Sequence, residues 1–334
     1  MKRIDGLLKA CLMVVMGTVC LWGETHNRRF INSSWQYGII DDNFNVIIPP
    51  KYKYAGKYSE GAVNVELSQG EWALIDKNEN VLCKVKAKRL SSLHNGWAIA
   101  DTESNERFYI NKKGKIMGNY GFASEFNEGK AYVRPENSGG YFINSDGEKI
   151  SEDLPYRSAV YAENGLWLVY CNGEGVINSN YQEIVPCARP AIDIAGEGYF
   201  VSMLPEDLSR CCFLDSKGKR VGSVTFKHSS KVYNGIAFIK KPESSDAYIY
   251  DLKNDKLTGP LKNCERMNKE SKNIVLIKKI EDKWKYVVVN RNNEQICPVY
   301  FDEFMDESDE MLWMQKDGKD FIVNSKGMYW SFAK

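Results

Sequence analysis

Nine times along the chain a short apolar run ends in Asp or Asn and then breaks into a polar turn, at Asp41, Asp76, Asn111, Asn144, Asn178, Asp215, Asp251, Asn290 and Asn324. The gaps between these positions run from 33 to 39 residues, with a mean of about 35. A second marker keeps the same phase. An acidic or Asn residue followed by Gly lies 18 to 21 residues further on in six units, at Gly61, Gly96, Gly129, Gly165, Gly198 and Gly235. Two markers in constant phase define a tandem repeat, and this period points to a propeller, solenoid or array. Within the first unit, Gly38-Ile39-Ile40-Asp41 reads as a strand and Asp42-Asn43-Phe44-Asn45 as a turn. Val46-Ile47-Ile48 is then a second strand, stopped by Pro49-Pro50. Turn residues between two apolar runs make a hairpin. Gly three residues after the Asx, as at Gly114, Gly147, Gly218 and Gly327, suits the positive φ of such a turn. A further strand follows each Gly marker, for example Ala131-Tyr132-Val133 and Ile236-Ala237-Phe238-Ile239. Val, Ile and aromatic residues dominate these runs and no helical spacing persists, so the chain is expected to be all-β, built of tandem β-meanders.

The unit Tyr37-Gly38-Ile39-Ile40-Asp41, then Ile48-Pro49-Pro50-Lys51-Tyr52, then Tyr58-Ser59-Glu60-Gly61-Ala62 resembles the bacterial WG repeat. Glu71-Trp72-Ala73-Leu74-Ile75-Asp76 and Phe126-Asn127-Glu128-Gly129-Lys130-Ala131 keep the same frame. The chain departs from the pattern in having no Trp-Gly pair inside the array, in Lys272-Asn273 replacing the Gly marker of the seventh unit, and in Ser308-Asp309 replacing that of the eighth. The resemblance implies a β-repeat protein, often exported or surface-associated, with no enzymatic activity attached to the repeat itself. About eight units plus a terminal hairpin occupy residues 35–334, after a lead at 24–34 in which Phe30-Ile31 is a candidate short strand. Propeller-like blades are the expected arrangement, with an open β-solenoid as the alternative, because no half-unit at the C-terminus completes the leading hairpin.

Residues 1–23 stand apart. Lys2, Arg3 and Lys9 precede an apolar run from Ala10 to Trp22 that is too short to span a bilayer as a helix and fits a signal peptide cleaved after Gly23. The expectation is an exported chain, in the periplasm, at the cell surface or outside the cell, with no stable membrane insertion after cleavage; lipid anchoring at Cys20 is the lesser alternative. Setting this segment aside changes the charge from 45 basic and 44 acidic residues to 42 and 43. A near-neutral chain without a basic cluster argues against nucleic acid as a partner. Cys83, Cys171, Cys187, Cys211, Cys212, Cys264 and Cys297 remain. An odd number cannot be fully paired in one chain, no Cys-x-x-Cys is present, and adjacent Cys211 and Cys212 point to opposite faces of a strand. Small buried side chains are the expectation, with one disulfide of unnamed partners allowed by an oxidising compartment.

Candidate chemistry is sparse. His26, His94 and His228 are the only histidines, and no His-Glu-x-x-His, Gly-x-Ser-x-Gly or phosphate-cradling loop is present. Asp76-x-Asn78-x-Asn80 starts like a calcium loop but lacks the following Gly and distal Glu, and its recurrence favours an Asx side chain capping its own turn. Trp72, Trp97, Trp167, Trp284, Trp313 and Trp330 are expected mostly between units, with a minority available as a binding platform. No catalytic, cofactor or metal residues are assigned and the binding residues are not located. The expected function is a non-catalytic scaffold for a protein or peptide partner; the alternative is an envelope glycan-binding protein, with a cryptic hydrolase third.

Overall fold

The computed structural model describes residues 27–32, 34–41, 43–136, 138–244, 246–261, 274–308 and 311–331. Residues 1–26, with Cys20 and His26, and also Cys264, Lys272-Asn273 and Asp309 lie outside them. Among the described residues every regular element is a β-strand, and no helix is long and apolar enough to cross a membrane. Nine antiparallel sheets follow one another along the chain, each with its strands side by side in sequence order. The first holds Arg28–Ile31, Tyr37–Ile40 and Val46–Tyr52, and the last runs from Glu303–Ser308 to Tyr329–Ser331.

Two turns recur in phase along the sheets. In the four-stranded sheets the Asx turn joins the third and fourth strands: in Asn111 the side-chain Oδ1 accepts the backbone N–H groups of Lys113 and Lys115 at 2.9 and 3.0 Å. Asp41, Asp76, Asn144, Asn178, Asp215, Asn290 and Asn324 do the same in their own turns, and Asp251 accepts the N–H groups of Lys253 and Asn254. The acidic-Gly or Asn-Gly marker joins the opening strand to the second. Glu128 and Gly129 have φ of 49° and 74°, and Asn127 and Lys130 close the turn with reciprocal N–H···O bonds of 2.8 and 3.0 Å. Two consecutive positive φ values make this a type I′ turn, whose twist matches that of a hairpin. Gly129→Val should therefore cost about 1–3 kcal/mol through backbone strain alone, because no atom lies within 4 Å of a side chain placed there. Denaturant unfolding checks this, and an unchanged midpoint would mean that the turn accepts a β-branched residue without strain.

A serine five residues before the marker Gly, at Ser91, Ser124 and Ser230, pins the opening segment. Its hydroxyl accepts the N–H of Ile99, Tyr132 or Phe238 on the second strand at 2.8–3.0 Å. These opening segments are also where neighbouring sheets are joined directly. Lys57 N–H reaches Ser92 Oγ at 3.0 Å, Ser59 Oγ donates to the Leu93 carbonyl at 2.7 Å, and Val232 N–H donates to the Ala195 carbonyl at 2.6 Å. Marker side chains continue the pattern: Glu60 accepts Gly96 N–H at 2.7 Å, Asn95 accepts Gly129 N–H at 2.9 Å, and Glu197 accepts Gly235 N–H at 2.9 Å. The sheets converge along this inner edge.

Each interior sheet is sandwiched between two others, so its strands are apolar on both faces. In Trp97–Asp101, Trp97 and Ile99 pack against the fourth sheet and Ala98 and Ala100 against the second. Cys212 and Cys211 divide between the two faces of the sixth sheet in the same way. Alternate side chains of a strand point to opposite faces, which turns each core run into two half-seams. The last seam closes the ring: Phe30 and Ile40 of the first sheet pack against Met311 and Ile322 of the last. The fold is a β-propeller, not an open solenoid. Closure does not share a sheet between the chain ends. Arg28–Ile31 completes the leading hairpin, so the first and last sheets meet face to face through side chains.

Of the cysteines, Cys171 and Cys187 form a disulfide with Cα atoms 6.2 Å apart, Cys83, Cys212 and Cys297 are buried, and Cys211 is half-buried. Trp72, Trp97, Trp167 and Trp313 are buried between sheets, whereas Trp284 is 47% exposed.

Candidate functional site

The second and third sheets splay apart on the ring face opposite the marker turns, and a cavity of about 580 Å³ opens between them. One wall is aromatic. Tyr54, in the opening segment of the second sheet, meets Trp72 edge-on at 5.2 Å and Tyr37 of the first sheet at 5.7 Å. Trp72 is placed by its strand Glu71–Ile75, whose residues Trp72 and Leu74 face the third sheet. The other wall is charged. Arg89 opens the third sheet, Asp101 ends its second strand and Arg107 begins its third, so antiparallel pairing sets Asp101 opposite both arginines. Arg89 Nε lies 3.2 Å from Asp101 Oδ2 and Arg107 Nε 3.0 Å from Asp101 Oδ1. The Arg107 guanidinium also covers the Phe122 ring at 5.1 Å, which holds it against the fourth sheet. Asp101 is thus fixed between two cations, while Arg89, with 64% of its side chain exposed, keeps donors toward solvent.

A second cavity of about 270 Å³ shares Tyr54 and Arg89 with the first and is lined by Arg29, Lys57, Ser91 and Glu125. Its walls come from the opening segments of the first four sheets, so the two cavities form one recess running from the ring face to its inner edge.

Other candidate residues fall outside this recess. His94 belongs to a marker turn, with Nε2 3.2 Å from Glu125 Oε2, and His228 is exposed on the opening strand of the seventh sheet. Asp76 Oδ1 accepts the N–H groups of Asn78 and Asn80, and Oδ2 accepts the Asn80 amide at 2.9 Å. These bonds, the amide of Asn80 foremost, hold the Asp76 carboxyl below the usual carboxylate range. The oxygens a cation would need are already engaged, and among the described residues no group of three or more His, Cys, Asp or Glu is placed to hold a metal. Melting should then be indifferent to a chelator and to added calcium. A rise of several degrees in millimolar calcium would contradict this.

Of the recess, the sequence singled out only Trp72. Arg89, Asp101 and Arg107 carry no motif, because their meeting depends on strand register and not on spacing in the chain. The one available signal was Arg89, a second basic residue after Lys88 at the place where the other units put Tyr54, Phe122, Ser158, Ala191 and His228.

No curated protein matches the chain in sequence. Among solved structures it is similar to a eukaryotic initiation factor, with a TM-score of 0.60 at 11% identity over 92% of this chain and 96% of that one. It is also similar to apo AztD from Citrobacter koseri, with a TM-score of 0.45 at 12% identity over 81% and 93%. For BamB from Moraxella catarrhalis the TM-score is 0.43 at 10% identity over 84% and 96%. At such identities the first of these likenesses shows a shared fold and nothing of function. The model of the WG containing repeat matches residues 37–69, from the first hairpin through the Glu60-Gly61 turn, and the chain is therefore a WG-repeat-containing protein.

Proposed function

We propose that this propeller is a non-catalytic, exported binding protein that holds a protein or peptide partner in the recess between its second and third sheets. The observation that carries this reading is the composition of the recess, in which Tyr54, backed by the buried Trp72, stands beside the exposed Arg89. Tyr and Arg are among the side chains that dominate binding energy at protein interfaces, and a cavity of this size accepts one or two side chains of a polypeptide. The two rival readings fit less well. Trp72 is 4% exposed and offers no open ring face on which a sugar could stack. The carboxylate on the charged wall, Asp101, has each oxygen within 3.2 Å of a guanidinium nitrogen, so it is engaged inside the wall and not presented to a bound substrate. Export rests on the basic-then-apolar N-terminal segment.

The test is reconstitution. A polypeptide isolated on the immobilised chain from envelope extract should rebind saturably as a purified component, and the chain should turn over no ester, phosphate, peptide or glycoside substrate. Hydrolysis abolished by Asp101→Asn would overturn the reading in favour of an enzyme.

A further inference from the structure

The last strand of each sheet lies on the outer rim of the ring, where one edge of its backbone has no neighbouring strand, and proteins block such edges with proline, bulges or brevity. Among the described residues every outer strand but one carries such a device. Val46–Tyr52 holds Pro49 and Pro50, Glu183–Arg189 holds Pro186 and Lys256–Leu261 holds Pro260. Ile116–Tyr120 and Arg220–Phe226 break register across Gly118 and Gly222, both at positive φ, and Tyr329–Ser331 is three residues long. The fourth and eighth sheets have only isolated bridges in this place. Val81–Lys86 of the second sheet is the exception. It has six residues, no Pro or Gly, and an unbroken ladder from Leu74↔Cys83 to Glu71↔Lys86, its single irregularity lying at the Asx turn. The ladder continues with Ala87 N–H donating to the Gly70 carbonyl at 3.0 Å, and because antiparallel pairs alternate, the N–H groups of Lys84 and Lys86 face the open edge. Val81 and Leu82, 49% and 37% exposed, stand beside it. A lysine also guards an edge when its charge is free, but Lys84 Nζ is held 3.3 Å from Glu71 Oε1 within the sheet.

We propose that the open edge of Val81–Lys86 takes an extended segment of the polypeptide partner as a further β-strand. This rests on the reading of the chain as a polypeptide-binding protein and adds a second contact for the same partner. The strand leaves the Asx turn of Asp76 and ends at Lys86, two residues before Lys88, which lines the 580 Å³ cavity. A segment lying along the edge is therefore delivered to the mouth of the recess. Main-chain N–H and C=O groups supply the affinity in such an addition, and side chains at alternate positions supply the selectivity. The exposed Val81 and Leu82 favour apolar residues across from them. A second copy of the chain fits this edge less well. Residues directly opposite in an antiparallel ladder share a face, so two copies would bring Lys84 and Lys86 of each chain together against one Glu71 apiece, and like net charge repels.

The experiment uses the full chain and two fluorescent peptides of alternating Val and Thr with Gly-Ser ends, identical except that one carries adjacent central prolines, which remove a donor from each of its edges. Anisotropy should show saturable binding of the uninterrupted peptide and none of the other. Lys84→Pro removes an N–H from the open edge while leaving the ladder to Glu71–Ile75, and should weaken that binding about tenfold or more. Lys84→Ala, which loses only the ion pair with Glu71, should change it less than about twofold. If Lys84→Pro melts early, hydrogen exchange on the unaltered chain replaces it: the peptide should slow exchange of the Lys84 and Lys86 amides and not that of Ile116. Equal binding of the proline-interrupted peptide, wild-type binding by a folded Lys84→Pro, or unslowed exchange at Lys84 and Lys86 would overturn the proposal. So would a chain that sediments as a dimer and becomes a monomer in Lys84→Pro, since the edge then belongs to a second copy. A polypeptide isolated on the immobilised chain that binds Lys84→Pro with wild-type affinity would overturn it while leaving the recess standing; absence of any polypeptide binding would remove both.

Discussion

Ile40→Asp should destabilise the ring on the order of 4 kcal/mol, because it places a carboxylate in the seam where the first sheet meets the last. Ile40 has no exposed surface and packs with Phe30, Met311 and Ile322, with Phe44 and Trp330 at the margin. No backbone ladder crosses this seam, since the first sheet is made only of Arg28–Ile31, Tyr37–Ile40 and Val46–Tyr52. Among the described residues, side-chain packing joins the two sheets there. Denaturant unfolding followed by tryptophan emission reports the change directly, because Trp313 and Trp330 lie in the last sheet. In an open array Ile40 would sit near a free end and the same substitution would cost less than about 1 kcal/mol, comparable with a surface change.

The repeat was legible in the sequence because it is written in turn chemistry. An Asx that caps its own turn and a Gly in a type I′ turn are local requirements, satisfied by residues within four positions of each other, so Asn111 with Gly114 and Glu128 with Gly129 could be placed before any long-range contact was known. Ring closure was not legible, because Phe30 and Met311 meet only through tertiary packing and nothing in either segment marks the other. The pinning serines Ser91, Ser124 and Ser230 were in phase and could have been found by aligning the units on their marker glycines. The recess is the least legible feature. Trp72 follows the repeat, but Asp101 between Arg89 and Arg107 departs from it, and a function that depends on the irregular residues of a repeat leaves no periodic trace. Cys171 and Cys187 likewise pair across one sheet by register, with no spacing motif to announce it.

Trp167→Ala should cost about 3–5 kcal/mol, the range for emptying a large aromatic site in a packed interior. Trp167 is 2% exposed and lies in the seam between the fourth and fifth sheets, edge-on to Phe142 at 4.8 Å and to Tyr161 at 5.3 Å. Tyr161 in turn donates to Glu128 Oε1 at 2.6 Å, so the loss loosens a contact from the opening strand of the fifth sheet to the marker turn of the fourth as well as the core. Trp284, of the same residue type but 47% exposed on an outer part of the eighth sheet, should by contrast tolerate alanine within about 0.5 kcal/mol. Chemical denaturation of the two variants side by side checks the pair, and similar midpoints would show that Trp167 does not carry its seam.

The recess as the place where a partner is held can be tested by placing a photo-crosslinking residue at Lys88, which is exposed and lines the 580 Å³ cavity, and at Ile116, which is 57% exposed on the outer strand of the same sheet. Irradiation in the presence of the partner should join polypeptide to position 88 and not to position 116. Equal crosslinking from both positions, or crosslinking from Ile116 alone, would contradict it.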